Sequence, residues 1–473
     1  METPDPPTRP NPAARPQAPR PQPPPRAPRE AAEPQAVATP RSVVETALQV
    51  TFGAGVEQTD LGRRMTENED ASLILADTPL WAIADASGAR WPAELTLDTL
   101  SKDAKALREF QTRVARSGDS SSRLAVGHFF ESVINRASEA VRNEVHRRGD
   151  RRATAACVAL TLMGPFAYVA HVGDARAYLW RDRKLRCLTT DHTLAMLQLK
   201  RGELTAETYA QSPYRKTLTQ AIGVTNDLRP DIAEIRVAPG DVMLLCSDGL
   251  HRMVSDRRIA EILVRDVPLA AKAEALIASA NEAGGKDNIT VQLIPVEGVG
   301  PAPDEGVAKR ERIDVARILG KCFLFEQLSE NERLLITPYF EYQTYAQNDL
   351  ICREGAEGDS LFVIVSGKAR VTYRRAHLVD LGPGGYAGEI ALARLGPRTA
   401  TIVAIQPTTV LTLTRARFFE VVQRRPSLGV QLAVPLLENV GKRIVDLGTR
   451  FRTIAQVMAG DKAATAPGDG GVP

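Results

Sequence analysis

Residues 80–88 read Leu-Trp-Ala-Ile-Ala-Asp-Ala-Ser-Gly, an apolar run that ends in a carboxylate and then in small residues. Such short apolar runs are typical of buried strands, and Ala-Ser-Gly lets the chain leave a sheet in a tight turn. Residues 242–249 repeat the pattern as Val-Met-Leu-Leu-Cys-Ser-Asp-Gly. Two buried strands that each present an aspartate at one end, Asp85 and Asp248, indicate a shared metal centre with oxygen ligands. We therefore expect the catalytic part of the protein to be built around Asp85.

The composition is that of an ordinary globular protein with two or three domains. Of its 473 residues, 43% are hydrophobic and 25% are charged, which is usual for such proteins. A formal net charge of +3 argues against a nucleic-acid partner, and no run approaches the roughly 20 apolar residues that cross a bilayer. Five scattered cysteines without CxxC spacing are typical of reduced thiols. We expect a cytoplasmic protein with no membrane partner.

Both ends of the chain are predicted to be tails. Residues 1–40 hold fourteen of the 32 prolines, interleaved with arginines. Such a segment cannot bury a core, which predicts disorder with polyproline II character. It is either a docking segment for a proline-binding or acidic partner or a solvated tail. Residues 459–473 are mostly small, and we expect disorder there too.

Between the tails the pattern predicts two domains joined by a hinge at 298–312, where Gly, Pro and charged residues cluster. In the first domain, 41–297, strand-like runs alternate with two long helical patterns within 91–147, which indicates an α+β fold with helices covering sheets. The predicted strands are 72–76, 155–163, 166–172, 175–180, 231–237, 241–246 and 289–296, and the further helices are 191–201, 205–210 and 256–281. The second domain, 313–458, has a helical segment at 313–337, short strands with glycine turns, and helices from 415 onward.

Further carboxylates stand beside the predicted strands. Asn68-Glu69-Asp70 lies upstream of Asp85, and Gly285-Lys286-Asp287-Asn288 directly precedes the last strand of the first domain. Carboxylate and carbonyl oxygens are ligands for Mg²⁺ or Mn²⁺. Two such ions about 3.5–4 Å apart can activate a water for in-line attack on phosphorus. A single Asp-Gly is usually a turn, so the order of the motifs matters more than any one of them.

That order closely resembles the metal-dependent type 2C protein Ser/Thr phosphatases over roughly residues 50–297. The matching elements are Thr59-Asp60-x-Gly62, Asn68-Glu69-Asp70, Ala84-Asp85-x-x-Gly88, Val172-Gly173-Asp174-Ala175-Arg176, Thr190-Asp191-His192, Ser247-Asp248-Gly249 and Asp287-Asn288. The resemblance implies an αββα sandwich that holds two Mn²⁺ or Mg²⁺ ions. It also implies phosphoprotein substrates, the targets of a Ser/Thr kinase.

By the same resemblance, Asp85 bridges both ions and the carbonyl oxygen of Ala86 binds one of them. Asp248 and Asp287 bind the other ion. Asp70 and Glu69 act through metal-bound waters. Residues 201–223 resemble the flap subdomain of bacterial members, and loops beside a metal site tend to contact substrate.

Several positions depart from the family pattern. Ala86 replaces a glycine, which is tolerable if the position does not need a positive φ. Met65 stands where the family commonly has a phosphate-binding arginine, although Arg63 and Arg64 lie alongside, so a raised KM is expected. Ser87 stands where some members have a histidine general acid. Asp150 alone stands near the position of a third metal aspartate, and a third ion stays open.

His192 has two interpretations. It could be a catalytic base, but Asp191-His192-Thr193 is more typical of a helix start with Asp191 near the N-cap. The remaining five histidines have no ligand spacing between them, which disfavours zinc.

A second motif lies at 384–401, where glycines precede Glu-Ile-Ala-Leu and, six residues later, Arg-Thr-Ala-Thr. Glycines let the backbone approach a ligand closely, and the start of a helical turn points free N–H groups at an anion. An arginine can donate two hydrogen bonds to a phosphate. With residues 357–367 upstream, the pattern resembles a cyclic-nucleotide-binding domain, a β-roll with flanking helices, over about 320–455.

That second resemblance implies cyclic AMP or cyclic GMP as an allosteric ligand. Arg398 would pair with the cyclic phosphate and Glu389 with the ribose 2′-hydroxyl. The backbone from Gly388 through Ile390 to Ala391 would contact phosphate oxygens. Thr399 slightly favours cyclic GMP, and the choice between the two nucleotides stays open.

Apolar residues continue at alternating spacings of 3 and 4 from Leu437 to Met458. This pattern fits a two-helix seam that would form a homodimer through 435–458, or equally a lid on the β-roll. Pro435 is predicted as the first residue of that helix.

Together these patterns predict a metal-dependent protein Ser/Thr phosphatase controlled by a cyclic nucleotide, with the hinge at 298–312 carrying the signal. One alternative is a pseudo-phosphatase that binds phosphoproteins, for which Met65 and Ala86 would mark lost catalysis. Another is a nucleotide fold that serves only dimerisation or localisation.

Overall fold

The computed structural model describes residues 41–42, 50–75, 78–117, 119–224, 228–298, 314–438, 441 and 445. The predicted tails, the hinge apart from Gly298, and most of the predicted dimer seam lie outside these residues. The described residues from 41 onward fall in one compact unit. Within the described residues, no helix is both long enough and apolar enough to span a membrane.

Within the described residues, the first region comprises eleven strands and seven helices. Its strands are β2 (Val50–Phe52), β3 (Val56–Asp60), β4 (Asp70–Leu75), β5 (Leu80–Ser87), β6 (Thr154–Met163), β7 (Phe166–Val172), β8 (Arg176–Arg181), β9 (Lys184–Cys187), β10 (Asp231–Arg236), β11 (Val242–Cys246) and β12 (Ile289–Gly298); β1 (Arg41–Ser42) precedes them in the chain but pairs with a strand of the second region. Its helices are α1 (Trp91–Ser117), α2 (Ser120–Arg148), α3 (Leu194–Lys200), α4 (Ala206–Gln211), α5 (Asp248–His251), α6 (Asp256–Leu263) and α7 (Leu269–Glu282), with a 3₁₀ turn at Pro213–Lys216.

These strands form two antiparallel sheets that face each other. One sheet has the order β10-β7-β6-β5-β4, and the other has the order β2-β12-β11-β8-β9 with β3 also paired to β12. β11 and β12 pack on β5, while α1 covers β5 and β6, and α7 covers β3 and β12. This arrangement is the expected αββα sandwich, because each sheet buries one face against the other sheet and the opposite face against helices.

The sequence pattern located these elements well. Each predicted strand of the first region overlaps an observed one, and the two long helical patterns correspond to α1 and α2. The predicted helix start with Asp191 near the N-cap is confirmed. Thr193, two residues after Asp191, is the N-cap of α3 and accepts a hydrogen bond from the Met196 amide, while Asp191 itself is held in an ion pair by Arg176.

The second region is a β-roll flanked by helices. Its strands are β13 (Glu341–Tyr345), β14 (Leu350–Cys352), β15 (Glu357–Gly358), β16 (Ser360–Ser366), β17 (Ala369–Tyr373), β18 (Ala376–Leu381), β19 (Tyr386–Ala387), β20 (Gly396–Pro397), β21 (Thr401–Ala404) and β22 (Thr408–Thr414). Its helices are α8 (Val315–Leu319), α9 (Glu330–Ile336), α10 (Ile390–Ala393) and α11 (Arg415–Arg424), with 3₁₀ turns at Phe323–Phe325 and Thr337–Tyr339 and a further helix at 426–438.

One sheet of the roll has the order β1-β13-β22-β16-β19, and the other has the order β14-β21-β17-β18. Apolar side chains between them, such as Phe362, Ile364 and Val410, form a core of their own.

The last described helix corrects one prediction. It runs without a break from 426 to 438, so Pro435 lies inside it and Pro426 occupies the first helical position. A proline is well tolerated at that position because the first N–H groups of a helix have no intrahelical acceptor.

The two regions share one buried core. α9 packs against β10, the end strand of the first sheet. At this junction Arg123 of α2 is fully buried and pairs with Glu234 of β10 through two N–H groups. The same guanidinium donates to the carbonyl oxygens of Phe340, at 2.7 Å, and Thr337, at 3.0 Å. The second region therefore satisfies part of a buried charge that belongs to the first.

Candidate metal centre and nucleotide pocket

The predicted aspartates converge at one end of the sandwich. Asp70 and Asp85 are direct partners in the β4–β5 ladder, so both carboxylates belong to adjacent strands of one sheet. The Thr290 hydroxyl donates to Asp70 Oδ2 at 2.6 Å. β11 of the facing sheet ends at Cys246, and Asp248 opens α5 with its backbone N–H 3.3 Å from Asp85 Oδ2. The facing sheets thus bring three carboxylates together.

Asp287 and Glu69 complete the group through the loop before β12. Asn288 holds this loop, because its side-chain oxygen accepts from the Glu69 amide at 2.8 Å and its Nδ2 donates to two backbone carbonyls of the 61–67 loop. Gly249 is required nearby, since a Cβ there would lie 1.9 Å from the Asn288 carbonyl oxygen. Asn288, read from the sequence only as part of a motif, is the residue that aligns these segments.

The electrostatics of the cluster favour a cation. Burial raises the pKa of Asp85 well above its usual range, and the neighbouring Asp70 and Asp248 raise it further. Burial likewise raises the pKa of Asp70 to about 7, against the hydrogen bond from Thr290. The pKa of Asp248 is raised by burial although Arg252 opposes the effect. Several buried carboxylates that repel one another need a counter-charge to ionise together.

The donor set fits divalent metal ions. Asp248 Oδ1 is buried and has no hydrogen-bond partner among the described residues. An orphaned carboxylate oxygen is costly to bury, and a hard cation is the ligand it would suit best. Four aspartates supply oxygen donors of the type preferred by Mg²⁺ and Mn²⁺. The residues present therefore fit the ions that the resemblance implies.

Two basic residues at this site were not predicted. The Arg252 guanidinium contacts the carboxylates of both Asp248 and Asp174. Lys216 Nζ, from the predicted flap, lies 3.3 Å from Asp287 Oδ2. A cavity of about 270 Å³ lies between the flap and the α5 segment. The spacing of Asp248 and Arg252, four residues apart along a helical start, was a signal for their pairing, whereas Lys216 reaches the site only because the flap folds back.

The departures from the family pattern have clear structural contexts. Ala86 lies inside β5, paired with Ala155, and it is not among the described non-glycine residues with a positive φ. Alanine is therefore tolerated there, as the sequence argument required. Met65 and the exposed Arg63 and Arg64 lie in the loop beside Gly285. Burial raises the pKa of Glu69, and charge repulsion from Asp287, Glu67 and, least of the three, Asp150 raises it further.

His192 is a hydrogen-bonded structural residue. Its Nε2 lies 3.3 Å from Asp231 Oδ2, and its Nδ1 accepts from the Gly173 amide at 3.3 Å. Its ring stacks on His171 with centroids 4.4 Å apart. Both ring nitrogens are occupied, which favours the structural interpretation over a catalytic base.

The predicted nucleotide residues line one cavity of about 750 Å³ in the β-roll. Its walls include the predicted residues Gly388, Glu389, Ile390, Ala391, Arg398 and Thr399. Arg398 donates to the Ser360 carbonyl at 2.5 Å and stacks on the Phe362 ring at 4.7 Å. Gly388 has φ +88° and a Cβ there would lie 2.6 Å from Arg398 Nη1, so a side chain would displace the arginine. All six residues therefore lie around one cavity, and within it Arg398 faces Gly388.

Two family models match the chain. Residues 96–198 match protein phosphatase 2C, and residues 342–425 match the cyclic nucleotide-binding domain. Both matches confirm the resemblances inferred from the sequence motifs. The chain therefore combines a region similar to protein phosphatase 2C with a later region similar to the cyclic nucleotide-binding domain.

Curated relatives match part of the first domain. Protein phosphatase PhpP of Streptococcus pneumoniae serotype 2 is 42% identical over 135 residues, which are 28% of this chain and 55% of that protein. Serine/threonine phosphatase stp of Listeria monocytogenes serotype 4b is 40% identical over 126 residues, 27% of this chain and 50% of that protein. The chain thus spans about half the length of the curated relatives it matches. The solved serine/threonine phosphatase of S. agalactiae is 28% identical with a TM-score of 0.45, covering 53% of this chain and 100% of that one.

Proposed function

We propose that this protein is a metal-dependent protein Ser/Thr phosphatase whose activity responds to a cyclic nucleotide. The observation that carries the first part is the meeting of Asp70, Asp85 and Asp248 from two facing sheets, with an orphaned Asp248 oxygen among them. The similarity to phosphatases PhpP and stp supports phosphoserine and phosphothreonine proteins as substrates.

Asp70, Asp85, Asp248 and Asp287, with the carbonyl oxygen of Ala86 and with Glu69 alongside, would hold two Mn²⁺ or Mg²⁺ ions. When bound, these ions supply a water activated for in-line attack on phosphorus. The chain's own residues supply position and charge. The two sheets fix the aspartates, Thr290 orients Asp70, and Asn288 holds the loop of Glu69 and Asp287.

The basic residues would bind the phosphate. Lys216 and Arg252 lie beside the carboxylates and line the cavity under the flap. With Arg63 and Arg64 nearby, they offer positive charge where Met65 provides none. The pseudo-phosphatase alternative is disfavoured because the chain retains all four aspartates and Ala86 does not have a positive φ.

The β-roll would bind cyclic AMP or cyclic GMP. Arg398 would pair with the cyclic phosphate and Glu389 with the ribose, because both line the same cavity as the Gly388–Ala391 backbone. The helix 426–438 also leaves an apolar stripe in solvent, with Val430 at 64%, Val434 at 42% and Leu437 at 70% exposure. Of the two alternatives that the sequence left open for this helix, a homodimer seam and a lid on the β-roll, the exposed stripe supports the homodimer.

The test is dephosphorylation of a phosphothreonine peptide with Mn²⁺, with and without each cyclic nucleotide. The wild type, Asp85→Asn and Arg398→Ala are compared with Asp266→Asn, an exposed carboxylate remote in sequence from the motifs. We expect turnover that Asp85→Asn abolishes, and a nucleotide response that Arg398→Ala alone removes. Turnover without a nucleotide response would contradict the regulation, and absence of turnover would favour the pseudo-phosphatase.

A further inference from the structure

A chain of direct contacts joins the nucleotide pocket to the metal centre without passing through the hinge at 298–312. It begins at α10, which carries the predicted phosphate-binding segment. Arg415, the first residue of α11, donates from Nε to the Leu392 carbonyl of α10 at 3.3 Å, and its amide bonds the Asp359 carbonyl at 2.7 Å. α11 is therefore tied at its start to the wall of the nucleotide pocket.

The other end of α11 is tied to the phosphatase domain. Arg425, directly after α11, donates from Nη1 to Asp231 Oδ1 at 2.8 Å and from Nη2 to the Pro230 carbonyl at 3.2 Å. Asp231 is the first residue of β10. This ion pair is only about one-fifth exposed on each side, so it is much less screened than a surface pair.

Asp231 also contacts His192, which extends the chain of contacts toward the metal centre. One carboxylate oxygen takes Arg425, and the other lies 3.3 Å from His192 Nε2. Because His192 Nδ1 accepts a hydrogen bond from the Gly173 amide, the ring proton lies on Nε2, which donates a hydrogen bond to Asp231. His171, His192 and Asp231 are close enough to hold a metal ion, but the ion pair with Arg425 and the full use of both His192 nitrogens favour a hydrogen-bonded network.

His192 in turn fixes the segment that leads to the metal centre. Its ring accepts from the Gly173 amide, and its own amide donates to the Gly173 carbonyl at 2.7 Å. The next residue, Asp174, pairs with Arg252, whose guanidinium also contacts Asp248. The Gly173–Asp174 turn is therefore clamped on one side by His192 and on the other by the arginine of the metal site.

We propose that Arg425 and Asp231 are positioning residues that couple the nucleotide pocket to the metal centre through His192, Asp174 and Arg252. This inference rests on the proposed function. A bound nucleotide that shifts α10 also moves α11. This movement strengthens or weakens the Arg425–Asp231 ion pair, which changes how firmly His192 holds the Gly173–Asp174 turn. The contacts of the Arg252 guanidinium with Asp174 and Asp248 then change in relative strength, which alters the metal site.

Thermodynamic reciprocity provides a test that does not depend on turnover. If the sites are coupled, bound Mn²⁺ must change nucleotide affinity by the same factor as the nucleotide changes Mn²⁺ affinity. The dissociation constants of cyclic AMP and cyclic GMP are measured by calorimetry on the full chain, with saturating Mn²⁺ and after chelation. The readout is the ratio of the two constants for each nucleotide.

The variants are Arg425→Gln, Asp231→Asn and the matched control Arg424→Gln. Arg424 is the neighbouring residue but pairs with Glu131 and Glu420 instead of Asp231. We expect a ratio that departs from one by about fivefold or more in the wild type and in Arg424→Gln, the usual range for coupled sites. In Arg425→Gln and Asp231→Asn we expect a ratio near one with nucleotide binding retained.

A wild-type ratio of one, or a ratio that Arg425→Gln and Asp231→Asn leave unchanged, overturns the inference while leaving the proposed function intact. Equal loss of the ratio in Arg424→Gln also overturns it, since the effect would then not belong to the Asp231 contact. Failure of the proposed function is distinguishable, because it appears in the same titrations as missing nucleotide or Mn²⁺ binding.

Discussion

Arg123 and Glu234 form a fully buried ion pair at the junction of the two regions, and the arginine also donates to two backbone carbonyls of the second region. The pair itself lies in the first region, but its hydrogen bonds are complete only when the second region is docked. A half-satisfied buried charge is strongly unfavourable, so the two domains depend on each other for stability.

Removing the arginine should therefore destabilise the whole chain. Arg123→Ala leaves Glu234 buried without its partner and should lower the free energy of unfolding by roughly 3–5 kcal/mol, as measured by urea denaturation. The double variant Arg123→Met, Glu234→Leu should recover much of this loss, because no unpaired charge remains. Equal destabilisation by the single and the double variant would contradict the explanation.

Restoring positive charge at Met65 should improve phosphate capture. Met65→Arg places a guanidinium in the loop beside the metal site, so KM for a phosphothreonine peptide should fall several-fold while kcat changes little. Leu61→Arg, on the same loop and already 39% exposed, adds the same charge and serves as control. A fall in KM of equal size in both variants would indicate general electrostatic attraction rather than phosphate binding at position 65.

Arg398 should dominate nucleotide affinity. A charge-assisted hydrogen bond contributes about 1.5–3 kcal/mol, so Arg398→Ala should weaken cyclic nucleotide binding on the order of 10- to 100-fold by calorimetry. Arg370→Ala, which removes a surface pair with Asp380, should leave the affinity unchanged. Comparable losses in both variants would argue against a phosphate contact by Arg398.

In the metal-free protein, the stability contributed by Asp70 and Asp174 should fall as pH rises from about 4 to about 7. Burial raises the pKa of Asp70 and that of Asp174 to about 7 each, against about 3.9 in an unfolded chain. In this window these two carboxyl groups bind more protons in the folded state than in the unfolded state, so their contribution to stability falls with increasing pH, by at most roughly 1.4 kcal/mol per pH unit for each proton. The buried His171 and His251 act in the opposite direction, because burial lowers the pKa of each to about 3.

The measurement is urea denaturation of the chelated protein across that range. Asp70→Asn should make the slope of stability against pH more positive than in the wild type, whereas Asp266→Asn should leave it unchanged. A slope that Asp70→Asn also leaves unchanged would rule out a protonated Asp70 at the metal-free site.

The exposed stripe of the helix 426–438 should mediate self-association. Leu437→Glu places a charge on its most exposed member and should shift the protein toward monomer in sedimentation velocity. Val267→Glu, at a position that is 43% exposed on another surface, tests for a general effect of added charge. A wild type that is monomeric at high concentration would exclude the homodimer.

Much of the architecture could be predicted from the sequence because its signals are local. Buried strands are short apolar runs, and an aspartate at the end of such a run is visible without knowing the fold. Asp70, Asp85 and Asp248 could be grouped for this reason, and Arg398 and Glu389 lie within one short segment. The helix start at Asp191-His192-Thr193 was visible for the same reason, but the ion pair of Asp191 with Arg176, fifteen residues away, was not.

Contacts that depend on tertiary packing could not be predicted. Arg123 and Glu234 are 111 residues apart, and Asp231 and Arg425 are 194 apart. No residue of either pair stands in a distinctive motif, and an arginine within a helical pattern is normally predicted to be exposed to solvent. Only the docking of the second domain against β10 shows what they do.

The docking of α9 against β10 also bears on how the protein can be divided. A fragment that stopped near residue 298 would bare the backbone of an end strand together with the apolar side chains that α9 now covers, and such edges recruit other chains. Attempts to produce the first region by itself should therefore meet aggregation. Solubilising mutations on β10 would be needed before that region could be handled as a separate protein.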